Sequence, residues 1–234
     1  MTTETSDRLR GIVGTAMADF AAARQHMVDS QIRTNKVTDE GLLRALAEIP
    51  RERFLSRDLQ DIAYIDEDLA IGGGRYLMEP MVLARMIQAL ELDPGDLVLD
   101  IGCATGYSSA VLARLVTAVV ALECDATLAR DATAKFAEIG VDNVVVVEDE
   151  LNHGHSDQAP YQAIFLNGAV QELPDGLIDQ LAEGGRLCAV IDDGIGAGQA
   201  VRVVRRGVTV ARQVLFDANV SMLPGFDREP GFVF

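Results

Sequence analysis

The segment Asp100-Ile101-Gly102-Cys103-Ala104-Thr105-Gly106-Tyr107 concentrates a carboxylate, two glycines and several small residues within eight positions. It overlaps the end of the apolar run Leu97-Val98-Leu99-Asp100-Ile101 and opens a helical stretch, so it reads as a strand-to-helix turn. Glycines in such a turn permit a tight backbone and close approach of a ligand, and the helix N-terminus offers unpaired N–H groups to an anionic group. Glu123 ends the next apolar run about 20 residues further on, where a carboxylate can accept both hydroxyls of a ribose. Strand, glycine loop, helix, strand and acid in that order point to a nucleoside. A dinucleotide fingerprint needs G-x-G-x-x-G, whereas the spacing here is Gly102-x-Ala104-x-Gly106. No Gly-Lys-Ser/Thr occurs, which excludes a Walker loop.

These residues need a scaffold, and the chain shows two textures. From about Asp19 to Leu92 the pattern is helical: Leu42, Leu43, Leu46 and Ile49 recur at three- and four-residue spacing, Thr38 is the expected N-cap and Pro50 the stop. Ile71-Gly72-Gly73-Gly74 reads as a loop, followed by a helix from about Pro80 to Leu90. Beyond the turn Asp93-Pro94-Gly95-Asp96, short apolar runs alternate with helical stretches. The runs lie at 97–101, 119–123, 144–147, 163–166 and 187–191, and the helices near 108–116, 126–139 and 173–181. That alternation means βαβ units and a parallel sheet covered on both faces. Residues 200–206 and 208–216 read as strands joined at Gly207, an antiparallel pair that closes the sheet. The first residues, to about Thr15, are expected to be a frayed end.

Composition limits the partners. The 234 residues carry 36 acidic and 20 basic side chains, a formal charge of −16, and the sequence pI is near 4.5. Phosphate binding runs on clustered Lys and Arg, so a nucleic-acid partner is not expected. Apolar residues at 49% and charged residues at 24% exclude wholesale disorder. Cys103, Cys124 and Cys188 are odd in number and far apart, which argues against a disulfide framework or a zinc site and for a reducing cytoplasm. His153 and His155 lie in a polar stretch without further ligands, so no metal is expected. No apolar run approaches the ~20 residues of a membrane span, and the first twenty residues lack the layout of a signal peptide. The apolar tail from Pro224 to Phe234 is expected to dock on the body or on another subunit, with the oligomeric state left open.

Asp100 with the short glycine loop resembles motif I of class I S-adenosylmethionine-dependent methyltransferases. The resemblance extends to protein-L-isoaspartate O-methyltransferases through Met27-Val28 to Gln31-Ile32-Arg33, Ile49-Pro50-Arg51 with Phe54, Ala63-Tyr64 and Ile71-Gly72-Gly73-Gly74. It continues through Val98–Leu112, Ala159-Pro160-Tyr161 and Gly184-Gly185-Arg186, and covers roughly Arg24 to Pro224. It implies a Rossmann-like α/β fold: a seven-stranded, mostly parallel sheet with an antiparallel C-terminal hairpin, preceded by a helical lobe. Residues 1–92 would form that lobe with the substrate loop, and 93–234 the cofactor-binding core. The implied cofactor is S-adenosylmethionine, with S-adenosylhomocysteine as product. Its implied site comprises Asp100, Gly102, Cys103, Ala104, Gly106, Tyr107, Glu123, Cys124, Asp149, Glu150 and Asn167. Ala104 replaces the usual middle glycine, and Glu148 and Glu150 replace the glycines flanking Asp149.

The implied activity is methylation of isoaspartyl carboxylates in proteins. The family reads Gly-Gln-Thr-Ile-Ser-Gln-Pro where this chain reads Gly74-Arg75-Tyr76-Leu77-Met78-Glu79-Pro80. Tyr76 and Met78 thus stand at the positions whose hydroxyls approach the acceptor carboxylate. Arg75 and Glu79 replace the two glutamines, and Arg75 is positioned to hold a carboxylate bidentately. Two other readings share the cofactor: a relative that methylates another carboxylate, hydroxyl or small molecule, and a cofactor-binding sensor or assembly protein without turnover.

Overall fold

The computed structural model describes residues 19–226; the expectations for the first fifteen residues and for positions 227–234 lie outside them. The apolar runs become strands. A hairpin of β1 (Leu69–Gly72) and β2 (Arg75–Leu77) precedes a sheet built from β3 (Leu97–Ile101), β4 (Ala118–Glu123), β5 (Val144–Glu148), β6 (Tyr161–Val170), β7 (Leu181–Ile191), β8 (Gln199–Arg206) and β9 (Thr209–Asp217). The helices are α1 (Phe20–Met27), α2 (Glu40–Glu48), α3 (Pro80–Ala89), α4 (Tyr107–Leu112), α5 (Ala126–Ile139) and α6 (Asp175–Asp179). The seven-stranded sheet runs in the order β5-β4-β3-β6-β7-β8-β9; β3 to β7 pair in parallel, and β7-β8 and β8-β9 are antiparallel. The chain leaves β3 in one direction toward β5 and returns to β3's other side with β6. Ligands of open α/β sheets bind outside the strand ends at that switch point.

Alternation along β3 divides the interior. Val98 faces a cluster with Leu42, Leu46, Ile49, Val82, Leu83 and Met86 of the N-terminal helices. Leu99 and Ile101 face the opposite cluster with Leu122, Leu166 and Leu187. Each such side chain, fully buried, contributes roughly 1.5–3 kcal/mol. Asp100 falls on the helical side, between Val98 and the glycine loop. Arg186 fixes the joint between α3 and β3, donating to the carbonyls of Leu90 and Glu91 (2.7 Å each) and to Asp96 Oδ2 (2.9 Å).

Three local expectations are corrected. The glycine run is the turn of the β1-β2 hairpin rather than a plain loop: Leu69 and Leu77 pair and are buried, and Gly72, Gly73 and Gly74 all have positive φ. Strands this short carry too few residues for a two-residue period to register. Asp39, not Thr38, caps α2, accepting from the Leu42 amide at 2.7 Å. The helix expected over 173–181 shrinks to α6 because β7 begins at Leu181, six residues early, with its register shifting across Gly184-Gly185. Among the described residues, no helix is long and apolar enough to cross a membrane.

Candidate functional site

The loop after β3 is held from below: the amides of Gly102 and Cys103 donate to the Leu122 carbonyl at 2.8 and 3.1 Å. Ala104 takes a left-handed conformation (φ 53°), uncommon without glycine, and this turns its amide onto Glu123 Oε2 at 2.7 Å. Gly106 (φ 96°) starts α4, and a Cβ there would lie 2.6 Å from the Phe136 ring, so α5 packs where only glycine leaves room. Asp100 is fully buried, and Ser108 and Ser109 donate to its Oδ2 at 2.6 and 2.5 Å. Burial, with the nearby Glu123 charge, raises its carboxyl to about 6 in spite of those hydroxyls. Asn167, on β6, donates to the Gly102 carbonyl (3.1 Å) and to Ser108 Oγ (3.2 Å). Two buried acceptors here, Asp100 Oδ1 and Asn167 Oδ1, have no hydrogen-bond donor among the described residues.

Glu123 ends β4 with its side chain fully buried. Its Oε1 accepts from the amides of Cys124 (2.9 Å) and Asp125 (3.1 Å), and Arg75 Nη1 donates to the same oxygen. Arg75 Nη2 donates to the Gly102 carbonyl at 3.0 Å. Arg75 thus reaches the glycine loop from the hairpin, which the linear spacing does not suggest.

The far wall is a strap after β9. The Ala169 amide donates to the Ser221 carbonyl (2.9 Å) and the Leu223 amide to the Ala169 carbonyl (2.8 Å), so Met222 pairs beside the end of β6. Leu223 lies so close that a Cβ on Gly168 or Gly102 would meet it at 2.7 or 2.6 Å. Between strap, hairpin and the end of β6 remains a cleft of about 10 Å³, lined by Asp68, Arg75, Tyr76, Met78 and Asn167 among others. Tyr76 is 38% exposed, while Met78 is buried in the core. The Met78 carbonyl is held by Arg51 Nη2 at 2.8 Å, and Arg51 Nε donates to the Ala63 carbonyl at 2.7 Å.

The remaining expected site residues divide. Tyr107 turns its ring into the helical lobe, edge-on to Phe54 with centroids 5.5 Å apart and under the Arg51 guanidinium at 4.9 Å. Cys103 is buried, and burial pushes its thiol well up, the opposite of the lowering expected at a helix N-terminus. Cys124 is exposed beside Glu123. The Asp149 amide donates to the Glu123 carbonyl (3.2 Å), which brings Asp149 and Glu150 to the end of β4; both side chains are exposed, Glu150 near His153 at 3.5 Å. Phe226 packs into the lower core beside Leu223. Sequence reasoning missed Ser108, Ser109, Asp68 and the strap. The paired serines after Gly106-Tyr107 were the available signal; the strap's role depends on a contact across more than fifty residues.

An acidic rim sits at the start of α3. Asp68 Oδ1 accepts from the Glu79 amide (2.8 Å) and Asp66 Oδ1 from the Met81 amide (3.1 Å), satisfying donors at the start of α3 that have no acceptor within the helix. Half-buried Glu79 is consequently raised to about 7, by burial first and then by Asp66, Asp68 and Glu67. A carboxyl raised in the folded state binds its proton more tightly there, so stability falls as pH rises from about 4.5 to about 7. With allowance for solvent screening, Glu79→Gln is expected to stabilise the fold by about 1–2 kcal/mol at pH 8 and much less at pH 5. Denaturant unfolding at both values checks this; a gain independent of pH would count against it.

The family profile for protein-L-isoaspartate(D-aspartate) O-methyltransferase matches residues 22–229, most of the chain. The chain belongs to that family. The protein-L-isoaspartate O-methyltransferase 1 of Rhodopseudomonas palustris (strain HaA2) is 39% identical over 193 residues, 82% of this chain and 79% of its own. The Roseiflexus castenholzii (strain DSM 13941 / HLO8) protein-L-isoaspartate O-methyltransferase is 38% identical over 207 residues, 88% of this chain and 94% of its own. Among solved structures, a protein-L-isoaspartate O-methyltransferase superposes with a TM-score of 0.77 at 26% identity, covering 88% of this chain and 66% of that longer one. The fold is also shared with a Plasmodium falciparum structure described as a putative protein-L-isoaspartate O-methyltransferase in complex with S-adenosyl-L-homocysteine (TM-score 0.73, 19% identity, 85% of this chain and 96% of that one). This isoaspartate-methyltransferase family is one of S-adenosylmethionine-dependent enzymes, and the seven-stranded sheet with its antiparallel end is the fold expected for it.

Proposed function

We propose that this chain transfers the methyl group of S-adenosylmethionine to a carboxylate of a protein or peptide, in the cytoplasm and without a nucleic-acid partner. The observation that carries the reading is the set of acceptors gathered at the ends of β3, β4 and β6: Asp100 Oδ1 and Asn167 Oδ1 without donors, and Glu123 held by three backbone amides. The cofactor is cationic at its sulfonium and its amino group and presents a ribose diol, so the residues present fit it. Asp100 and Asn167 would face the amino group, and Glu123 the diol. S-adenosylmethionine, when bound, supplies an activated methyl group. A carboxylate acceptor is already ionised at neutral pH, so the protein's contribution is alignment and exclusion of water. Tyr76, Met78, Asp68 and the strap from Val220 to Leu223 wall the acceptor side.

A second reading, an acceptor other than isoaspartate, is favoured by that wall. Its Met78 offers no hydrogen bond, and Asp66, Glu67, Asp68 and Glu79 beside it repel a carboxylate. Incubation with S-adenosylmethionine and an isoaspartyl peptide, against a panel of other acceptors, separates the two. Turnover confined to the panel would overturn the isoaspartyl assignment. Placing the hydroxyls back with Tyr76→Thr and Met78→Ser together is expected to raise isoaspartyl transfer at least tenfold, because one positioned donor is worth about 2.7–4 kcal/mol in a transition state. An unchanged rate in the folded double variant would show that the hydroxyls are not what limits it.

A further inference from the structure

Glu123 is wholly buried, and what covers it is a side chain of the substrate loop. Arg75 donates through Nη1 to Glu123 Oε1 and through Nη2 to the Gly102 carbonyl, and its own side chain is only 6% exposed. The guanidinium stands 3.1 Å from where a Cβ on Gly102 would fall, so it lies against the ligand side of the glycine loop. The two acceptors that Arg75 serves have other donors. Glu123 keeps its amide donors from Ala104, Cys124 and Asp125 without it, and the Gly102 carbonyl keeps Asn167 Nδ2.

We propose that Arg75 competes with the cofactor for Glu123: the cofactor enters by exchanging the Arg75 ion pair for its ribose hydroxyls, and Arg75 thereby sets the affinity of the site. This rests on the cofactor reading above. A neutral diol replaces a charged partner in a buried setting, so the exchange is uphill and weakens cofactor binding. Glutamine at position 75 brings no charge to Glu123.

Calorimetric titration of S-adenosylhomocysteine into the wild-type chain and into Arg75→Gln tests the proposal. Arg75→Gln is expected to bind at least tenfold more tightly than wild type. A merely structural role for Arg75 predicts weaker or unchanged binding in the variant, and either result overturns the competition while leaving the cofactor reading intact. Binding to neither form overturns both. Should Arg75→Gln fail to fold, Arg75→Lys takes its place, since one ammonium cannot span Glu123 and Gly102 as the guanidinium fork does. At least threefold tighter binding is then expected, and unchanged affinity overturns the proposal.

Discussion

Replacing Glu123 with alanine is expected to abolish measurable S-adenosylhomocysteine binding and to lower stability by about 3–5 kcal/mol. Three consequences of the geometry act together. The Arg75 guanidinium, 6% exposed, is left as a buried charge without its carboxylate. The amides of Ala104, Cys124 and Asp125 lose their acceptor, and each orphaned donor costs about 1–3 kcal/mol unless water reaches it. Ala104 also loses the hydrogen bond that accompanies its left-handed backbone, so the glycine loop relaxes. Calorimetry measures the loss of binding and unfolding in denaturant the loss of stability. The double variant Arg75→Met/Glu123→Ala is expected to recover part of the loss, because the stranded charge is gone, and the cycle of four proteins isolates the coupling. A loss below about 1 kcal/mol in the single variant would mean that the buried charge is readily rehydrated.

Arg51→Ala is expected to cost about 3–5 kcal/mol and to depress methyl transfer beyond what the lost stability explains. Arg51 is fully buried, and its burial holds its guanidinium below its ordinary range. It does not itself line the cleft; its task is to hold the carbonyls of Ala63 and Met78 from two directions while stacking on the Tyr107 ring. Alanine leaves both carbonyls unpaired and opens a void among Phe54, Tyr107 and Met78. The Met78 backbone then drifts, and a displacement of about 1 Å in a positioning loop can cost 10²-fold in rate. Arg51→Lys is expected not to rescue, since one ammonium on a flexible stem cannot reproduce two fixed donors. Denaturation curves and kcat measured well below the melting temperature check both claims. A variant of near-normal stability with near-normal kcat would remove Arg51 from any positioning role.

Strands β3 to β5 and the glycine loop were legible in the residues because their signals are local. Leu97–Ile101 is an apolar run bounded by a turn, and Glu123 ends the next run at a readable distance. The matching segments from Met27 to Arg186 carried the family in the same way, one short motif after another. The hairpin was not legible, since β2 is only three residues long and the glycines between the strands look like any loop. Tyr76 and Met78 were seen as departures, but not that both line the cleft, one exposed and the other buried.

Arg75 marks the boundary most sharply. Its type and motif position suggested a hand for a substrate carboxylate, and in the fold that hand holds Glu123, 48 positions away. The sequence by itself determined the βαβ core and the glycine loop, because each rests on periodicity or on residues within one turn of each other, and its motifs carried the resemblance to the family. Only the tertiary structure decided which charges meet. Pairings of Arg75 with Glu123, Arg51 with the Met78 carbonyl and Leu223 with Gly102 arise where separate segments converge at the strand ends, and no local pattern records that convergence.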